Sequence, residues 1–260
     1  MAHRPIDTLP PQPRPTASIA ARTPRYLQTP RWGLYDIPLV AVEADEPQVR
    51  PEAALRQILR WTTIALAVAA VAQMLRYLTL FANRSRPIPY WFDLATLILV
   101  IACGTLAVVA VIWAAWAFAR WLLSIRERSY QLVGTREPRH PLLVAASAVV
   151  PFGNVIGAPF LLLEAASAVG GDAAVPARRE INRGAVAWGL VSLIGAISLT
   201  YRIVALTSDS IQVGADAMVW SLLTLIASAA FAHWLGPRLR KMTVMGEAAA
   251  APQRRLVVAA

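Results

Sequence analysis

The chain has 260 residues, of which 57% are hydrophobic and only 15% are charged. A soluble domain usually carries nearer to a quarter of charged residues, so this composition excludes an ordinary soluble protein and indicates an integral membrane protein. The net charge of +10 comes from arginines that flank the apolar blocks, which is typical of contact with anionic lipids and argues against nucleic-acid binding.

The N-terminal segment, residues 1–50, holds nine of the 19 prolines. Proline lacks a backbone donor and resists helix formation, so the sequence predicts a disordered, proline-rich cytoplasmic tail. Residues 25–40 read RYLQTPRWGLYDIPLV and are more aromatic and apolar than a plain linker. Two interpretations stay open, a segment that rests on the membrane surface and a docking motif for a partner. The candidate docking residues are Arg31, Trp32, Gly33 and Leu34.

A helical membrane domain is predicted over residues 51–236, followed by a basic cytoplasmic tail over 237–260. Pro51 is expected to begin the first helix, because proline is tolerated at the first helical position. Long apolar blocks predict four crossing helices. These blocks are residues 61–81, 91–116, 184–206 and 215–235.

Residues 142–163 form a further apolar block of 22 residues without a charge, about the length that crosses a bilayer. Its middle is rich in residues that break helices or allow tight turns. The block is therefore either a fifth full span or a re-entrant hairpin that enters and leaves on one side. Pro151 and Pro159 are expected to be breaks, and Asn154 the polar tie for freed backbone groups. The predicted hairpin residues are Pro151, Gly153, Asn154, Gly157 and Pro159.

The basic residues separate these two topologies. Five full crossings with a cytoplasmic N-terminus place 14 basic residues inside and 10 outside, whereas a re-entrant block places 21 inside and three outside. Because short cytoplasmic loops carry an excess of Arg and Lys, the second arrangement is favoured. The predicted fold is all-α, with four transmembrane helices plus a re-entrant hairpin in the plasma (inner) membrane and both termini cytoplasmic.

Polar residues within the apolar blocks are functional candidates by default. Gln73, Arg76 and Glu164 are the strongest of them. Arg76 and Asp93 are expected toward the outer leaflet on adjacent spans, and a structural pairing between them is preferred to a transport role.

Patterns of catalytic and metal-binding residues do not occur in the sequence. No histidine stands at metal-ligand spacing from another histidine, a cysteine or a carboxylate, and neither G-x-S-x-G nor H-E-x-x-H is found. The sequence therefore predicts a protein that is not an enzyme, without catalytic, cofactor-binding or metal-binding residues.

The string VVPFGNVIGAPFLLLEAASAV follows the arginine-rich segment ARWLLSIRERSYQLVG and precedes a tryptophan-bearing span. This order resembles an uncharacterised family of small actinobacterial polytopic membrane proteins that carries a domain-of-unknown-function label. The similarity covers about residues 55–236 and departs at Gly157, where a bulkier apolar or aromatic residue is expected. It also departs in the arginine-rich segment, where small residues replace several charged ones. The matching positions are Pro151, Asn154, Pro159 and Trp188.

The proline-rich tail with TPRWGL resembles mycobacterial members of that family. The resemblance implies a non-enzymatic accessory protein that binds and stabilises a larger membrane complex, such as an Mce-type importer of fatty acids and cholesterol. The alternative is a small transporter or channel that uses the hairpin as its selectivity element. The expected partners are a membrane-protein complex and anionic lipids.

Overall fold

Six α-helices dominate the part of the chain that this computed structural model describes, which comprises residues 34–35, 51–170, 174–249 and 257–258. The helices are α1 (Pro51–Ala82), α2 (Tyr90–Leu132), α3 (Pro141–Val149), α4 (Gly153–Val169), α5 (Ala174–Thr207) and α6 (Ile211–Ala249).

A separate unit comprises residues 1–41 and 254–260, and its described residues are two short strands. Strand β1 (Leu34–Tyr35) pairs antiparallel with β2 (Val257–Val258). Most of the predicted tail, including the docking candidates Arg31, Trp32 and Gly33, lies outside the described residues. The docking role of this segment therefore stays a prediction.

Four helices are long and apolar enough to cross a membrane: α1, α2 as far as Gln131, α5, and α6 as far as Leu239. The prediction of a multi-pass helical membrane protein is confirmed at this level. Pro51 begins α1, as its position in the sequence predicts.

Neighbouring helices run antiparallel and are joined near their ends. Arg76 near the end of α1 binds Asp93 near the start of α2. Glu180 near the start of α5 lies 3.6 Å from Arg238 in the later part of α6, measured from Oε2 to Nε. The pairs α1–α2, α1–α6 and α5–α6 make the most extensive contacts of the bundle.

One end of the bundle collects most of the basic residues of these helices. Gly236 of α6 lies beside Arg56 of α1, so the start of α1 adjoins the later part of α6. The starts of α1 and α5 and the ends of α2 and α6 therefore share one end, called the basic end below. The largest buried cluster lies toward this end and includes Leu55, Trp121 and Leu239.

The apolar block 142–163 is divided between α3 and α4. It is therefore not the single continuous helix that is expected of an ordinary fifth span. The break is a γ-turn centred on Phe152, which has φ 63° and ψ −39°, with the Gly153 N–H donating to the Pro151 carbonyl at 2.7 Å. Such a conformation is strained for a residue with a side chain.

Pro159 does not break the block, contrary to the sequence-based expectation. It lies inside α4. A proline ring removes one backbone hydrogen bond of the preceding turn. The helix nevertheless continues to Val169, because the packing of α4 on α5 and α2 supports it.

The arginine-rich segment is also more helical than expected. α2 continues past Trp116 to Leu132, and its added part packs against α3 and α4. Trp121, Ile125 and Ser129 recur every four residues and are buried, which is the stripe that a packed helix requires. Likewise, α6 continues through Pro237 to Ala249.

Candidate functional site

A central cavity of about 470 Å³, partly open to the outside of the bundle, lies among all six helices and beside the turn between α3 and α4. Its volume falls within the range of small-molecule pockets, roughly 300–1,000 Å³. The wall is mostly aliphatic and aromatic, as Leu66, Phe118, Leu162, Phe231 and Leu235 illustrate.

Several polar groups in the cavity wall are hydrogen-bonded within the protein. Trp188 Nε1 of α5 donates to Asn154 Oδ1 of α4 at 3.2 Å, and the Trp188 ring packs on Phe231 with centroids 5.0 Å apart. The hydroxyls of Thr62 and Thr224 donate to carbonyl groups of their own helices at 2.9 and 2.8 Å. Asn154 thus joins α4 to α5, and these groups leave the cavity a largely apolar surface.

A glycine permits the close approach of α3 and α4. A Cβ atom at Gly157 would lie 2.9 Å from the carbonyl oxygen of Ser147 and 3.0 Å from its Cβ. The bulkier residue that the family resemblance leads one to expect at this position does not fit this packing. The two arms of the segment are therefore held together by contact of one backbone with the other.

A fully buried arginine lies toward the basic end. Arg126, in the last part of α2, is 0% exposed. Its Nη2 donates to Glu137 Oε1 at 2.6 Å and its Nε to Oε2 at 3.1 Å, a two-point pairing. Its Nη1 donates to the Leu161 carbonyl at 2.6 Å and lies 3.0 Å from Glu164 Oε2. One guanidinium therefore joins α2, the α2–α3 loop and α4.

A second arginine completes this group. Arg139 Nε and Nη2 donate to Glu164 Oε2 and Oε1 at 3.0 and 3.1 Å. Hydrogen bonding from Arg139 holds the pKa of the Glu164 carboxyl below its usual range against the opposing effect of burial, and Arg126 adds to the shift. The same bonds raise the pKa of Arg139. Arg126, Glu137, Arg139 and Glu164 are called the Arg126 cluster below.

Glu164 is a candidate from the sequence, but its partners are not. Arg126 and Arg139 stand out in the sequence only as basic residues that bear on the topology. One signal was present: Arg126 lies four residues after the apolar Leu122, which is buried, so helical continuation places both on the face that turns toward the core.

The other polar candidates lie at the opposite end of the bundle. Arg76 Nη1 donates to Asp93 Oδ1, to the Asp93 carbonyl at 2.9 Å and to Thr96 Oγ1 at 3.0 Å. The predicted pairing of Arg76 with Asp93 is thus present. Gln73 is buried one turn earlier in α1. Gln73 and Arg76 are therefore not brought together with Glu164.

Metal-ligating side chains do not cluster in the described parts of the chain, where no group of three or more His, Cys, Asp or Glu residues is placed to hold an ion. The buried and half-buried Arg76, Arg126 and Glu164 instead form ion pairs with neighbouring charged groups. Their arrangement stabilises contacts between helices at both ends of the bundle.

Four span-length helices, ion pairs between helices and an apolar central cavity define a polytopic helical membrane protein. The model of a domain of unknown function, DUF4328, matches residues 93–243, more than half of the chain, and the chain belongs to this family. The match includes the Arg126 cluster and the α3–α4 segment. No curated protein and no solved structure matches the chain.

Proposed function

We propose that the protein is a non-enzymatic accessory membrane protein that binds and stabilises a larger membrane complex. The observation that carries this proposal is the use of charged side chains to join helices, as in Arg76 with Asp93 and Arg126 with Glu164. A catalyst or an ion pathway directs such groups toward a substrate or a water-filled path. Groups paired across helices instead make a rigid framework, which suits a docking subunit.

The α3–α4 segment is proposed to be a re-entrant hairpin. Arg139 precedes α3 and Glu164 lies beyond the turn in α4, yet the two form one ion pair. Arg178 of α5 also donates to Ser167 of α4 at 3.2 Å, near the same end. These contacts favour a segment that returns to the side it left. With four crossings, both termini then lie on one side, which the positive-inside bias assigns to the cytoplasm.

The outer surface of this hairpin is proposed to contact the partner. Ile156 is 78% exposed and Leu142 is 73% exposed, and other large apolar side chains of the same two helices and their turn are exposed as well. An apolar surface next to the headgroup region can be covered by lipid or by a helix of another protein, and the accessory role favours the helix. The hairpin face consists of Leu142, Leu143, Phe152, Ile156 and Phe160.

The narrower proposal is that the complex is an Mce-type importer of fatty acids and cholesterol. It is supported by the resemblance of the TPRWGL tail to the mycobacterial lipid uptake coordinator. Residues 31–34 are proposed to be a second contact with the complex, and the basic end to contact anionic lipids in the cytoplasmic leaflet.

Affinity purification in mild detergent, followed by mass spectrometry, tests this function. The tagged protein is expected to co-purify with importer subunits, and a tagged importer subunit is expected to co-purify with the protein. Leu142→Ser with Ile156→Ser should reduce this recovery. The matched control, Ile101→Ser with Val108→Ser on an exposed part of α2, should retain it.

The transporter alternative makes the opposite prediction. The accessory role is wrong if the protein purifies alone and conducts or exchanges solute after reconstitution in liposomes. Recovery of a membrane complex without importer subunits would retain the accessory role and remove the narrower proposal.

A further inference from the structure

We propose that the central cavity binds one acyl chain of an anionic glycerophospholipid, with the headgroup at the basic end of the bundle. This inference rests on the cavity itself and does not depend on the accessory role. It names a ligand class, a binding site and an orientation.

The cavity is long enough for an acyl chain. On α5 its wall runs from Ile181 to Gly195, which is about 21 Å at ~1.5 Å per residue. On α6 it runs from Thr224 to Met242, about 27 Å by the same rise. One leaflet contributes about half of a hydrocarbon core of roughly 30 Å, so a chain of ~15 Å fits along the helix axes.

The wall favours hydrocarbon over water or a polar solute. An apolar cavity stays dry unless several polar groups can hold the water, and its empty space costs the wall its dispersion contacts. Trp188 Nε1, Asn154 Oδ1 and the hydroxyls of Thr62 and Thr224 already form hydrogen bonds within the protein, so the Asn154 amide nitrogen, Ser192 and Ser228 are the few other polar side-chain groups of the wall. A methylene chain restores the missing contacts without requiring new polar partners.

Charge at one end of the cavity orients the proposed lipid. Ile181 and Met242 line the cavity toward the basic end, where the Cε atom of Met242 lies beside Gly184. Arg178 and Arg238 lie one helical turn before these two lining residues, on the same faces of α5 and α6, and Arg179 and Lys241 are exposed beside them in the chain. A phosphate placed there meets positive charge, whereas the opposite part of the cavity, near Leu66, is apolar.

A bilayer phospholipid is the preferred source of the chain. It surrounds the bundle at a concentration that no free fatty acid reaches, and mass action fills a site of modest affinity. A second chain of the same molecule can remain in the bilayer. A free fatty acid has the same chain chemistry and is therefore tested separately.

Photocrosslinking tests the proposal with the full chain reconstituted in phosphatidylcholine vesicles. Three probes carry a diazirine in the acyl chain: phosphatidylglycerol, phosphatidylcholine and a free fatty acid. Crosslinked residues are located by mass spectrometry. Phosphatidylglycerol should label the cavity residues Trp188, Ser192 and Phe231 in addition to lipid-facing residues such as Leu190 and Leu193.

Variants that fill the cavity supply the specific readout. Ala115→Leu with Ser192→Leu should lower labelling at Trp188 and Phe231 by at least about tenfold, which corresponds to about 1.4 kcal/mol. Ala102→Leu, on an exposed part of α2, should leave this labelling unchanged. Thermal unfolding of each variant, together with unchanged labelling at Leu190, shows that the bundle remains folded.

The anionic headgroup has its own test. Arg179→Gln with Lys241→Gln should lower cavity labelling by phosphatidylglycerol to the level seen with phosphatidylcholine. Equal labelling by both lipids in the unaltered protein overturns the assigned orientation. Labelling of the cavity by the fatty acid but by neither phospholipid overturns the assigned source, and labelling confined to lipid-facing residues overturns the site.

Discussion

Arg139 and Glu164 form a two-point ion pair with N–O distances of 3.0 and 3.1 Å, although the whole of α3 and the turn at Phe152 lie between them. The pair holds the α2–α3 loop against α4, and Arg126 binds the same carboxylate from α2. The two arms of the α3–α4 segment are thus joined at their open end. At their closed end they are joined by the γ-turn.

Cysteine labelling should show the residues before and after this segment on one side of the membrane. In a Cys103→Ala background, Arg136→Cys and Arg178→Cys should react with an impermeant maleimide from the cytoplasmic side. Arg84→Cys and Asp209→Cys, which are exposed at the opposite end, should react from the other side. If positions 136 and 178 react from opposite sides, the segment crosses the membrane and the re-entrant proposal fails.

Replacing the buried arginine should strongly destabilise the fold. Arg126→Met leaves Glu137, Glu164 and the Leu161 carbonyl without their shared donor, so we expect a loss of about 3–5 kcal/mol in the free energy of unfolding. The exposed residue two positions later supplies the control. Arg128→Met should change stability by less than about 0.5 kcal/mol. Unfolding by denaturant in detergent micelles measures both, and similar losses for the two variants would contradict the structural role of Arg126.

A methyl group between α3 and α4 should also be costly. Gly157→Ala places a Cβ against the Ser147 carbonyl, so we expect a destabilisation of about 1–3 kcal/mol from overpacking. Gly104 of α2 is the matched helical glycine, because a Cβ atom there would meet no atom of a neighbouring helix within 4 Å. Gly104→Ala should stabilise by up to about 1 kcal/mol through helix propensity. Thermal unfolding that ranks the two variants in the reverse order would exclude the close contact.

Acid should remove part of the stability that Glu164 supplies. Because the folded-state pKa of Glu164 is lowered, its contribution is complete above the unfolded pKa of about 4.3 and is lost as the pH falls through the folded value. Unaltered protein should therefore exceed Glu164→Gln in stability by a constant amount above about pH 5.5, and this difference should shrink on acidification. Parallel stability curves at every pH would show that the carboxylate is not held by its arginines.

Hydropathy was sufficient to predict the four crossing helices, because a helix in lipid must be apolar over a length set by the bilayer. The break near Pro151 was predictable for a similar local reason, since clustered proline and glycine residues disfavour a continuous helix. The continuation of α4 through Pro159 was not predictable, because the loss of one backbone hydrogen bond is outweighed by the packing of α4 on its neighbours. Tertiary contacts decide such cases.

The Arg126 cluster could not be predicted in full for the same reason. Its burial depends on α4 covering one face of α2, and no short-range pattern states which helix covers which face. The Arg76–Asp93 pair was easier to predict from the sequence, because a short connection places the end of α1 beside the start of α2. The cavity is formed by six helices together, and its lining residues resemble other apolar positions in the sequence.

The length of α2 relates the fold to the thickness of the bilayer. From Asp93 to Arg126 the helix rises about 50 Å at ~1.5 Å per residue, whereas a hydrocarbon core is roughly 30 Å thick. The Arg76–Asp93 pair and the Arg126 cluster therefore cannot both lie in hydrocarbon. In the proposed re-entrant arrangement, with the Arg76–Asp93 pair among the headgroups of one leaflet, the Phe152 turn would lie near the opposite boundary of the acyl chains. A thinner membrane would leave this turn among the headgroups, and a thicker membrane would place it within the acyl chains. A change of bilayer thickness would therefore alter the surroundings of the hairpin before those of the four long helices.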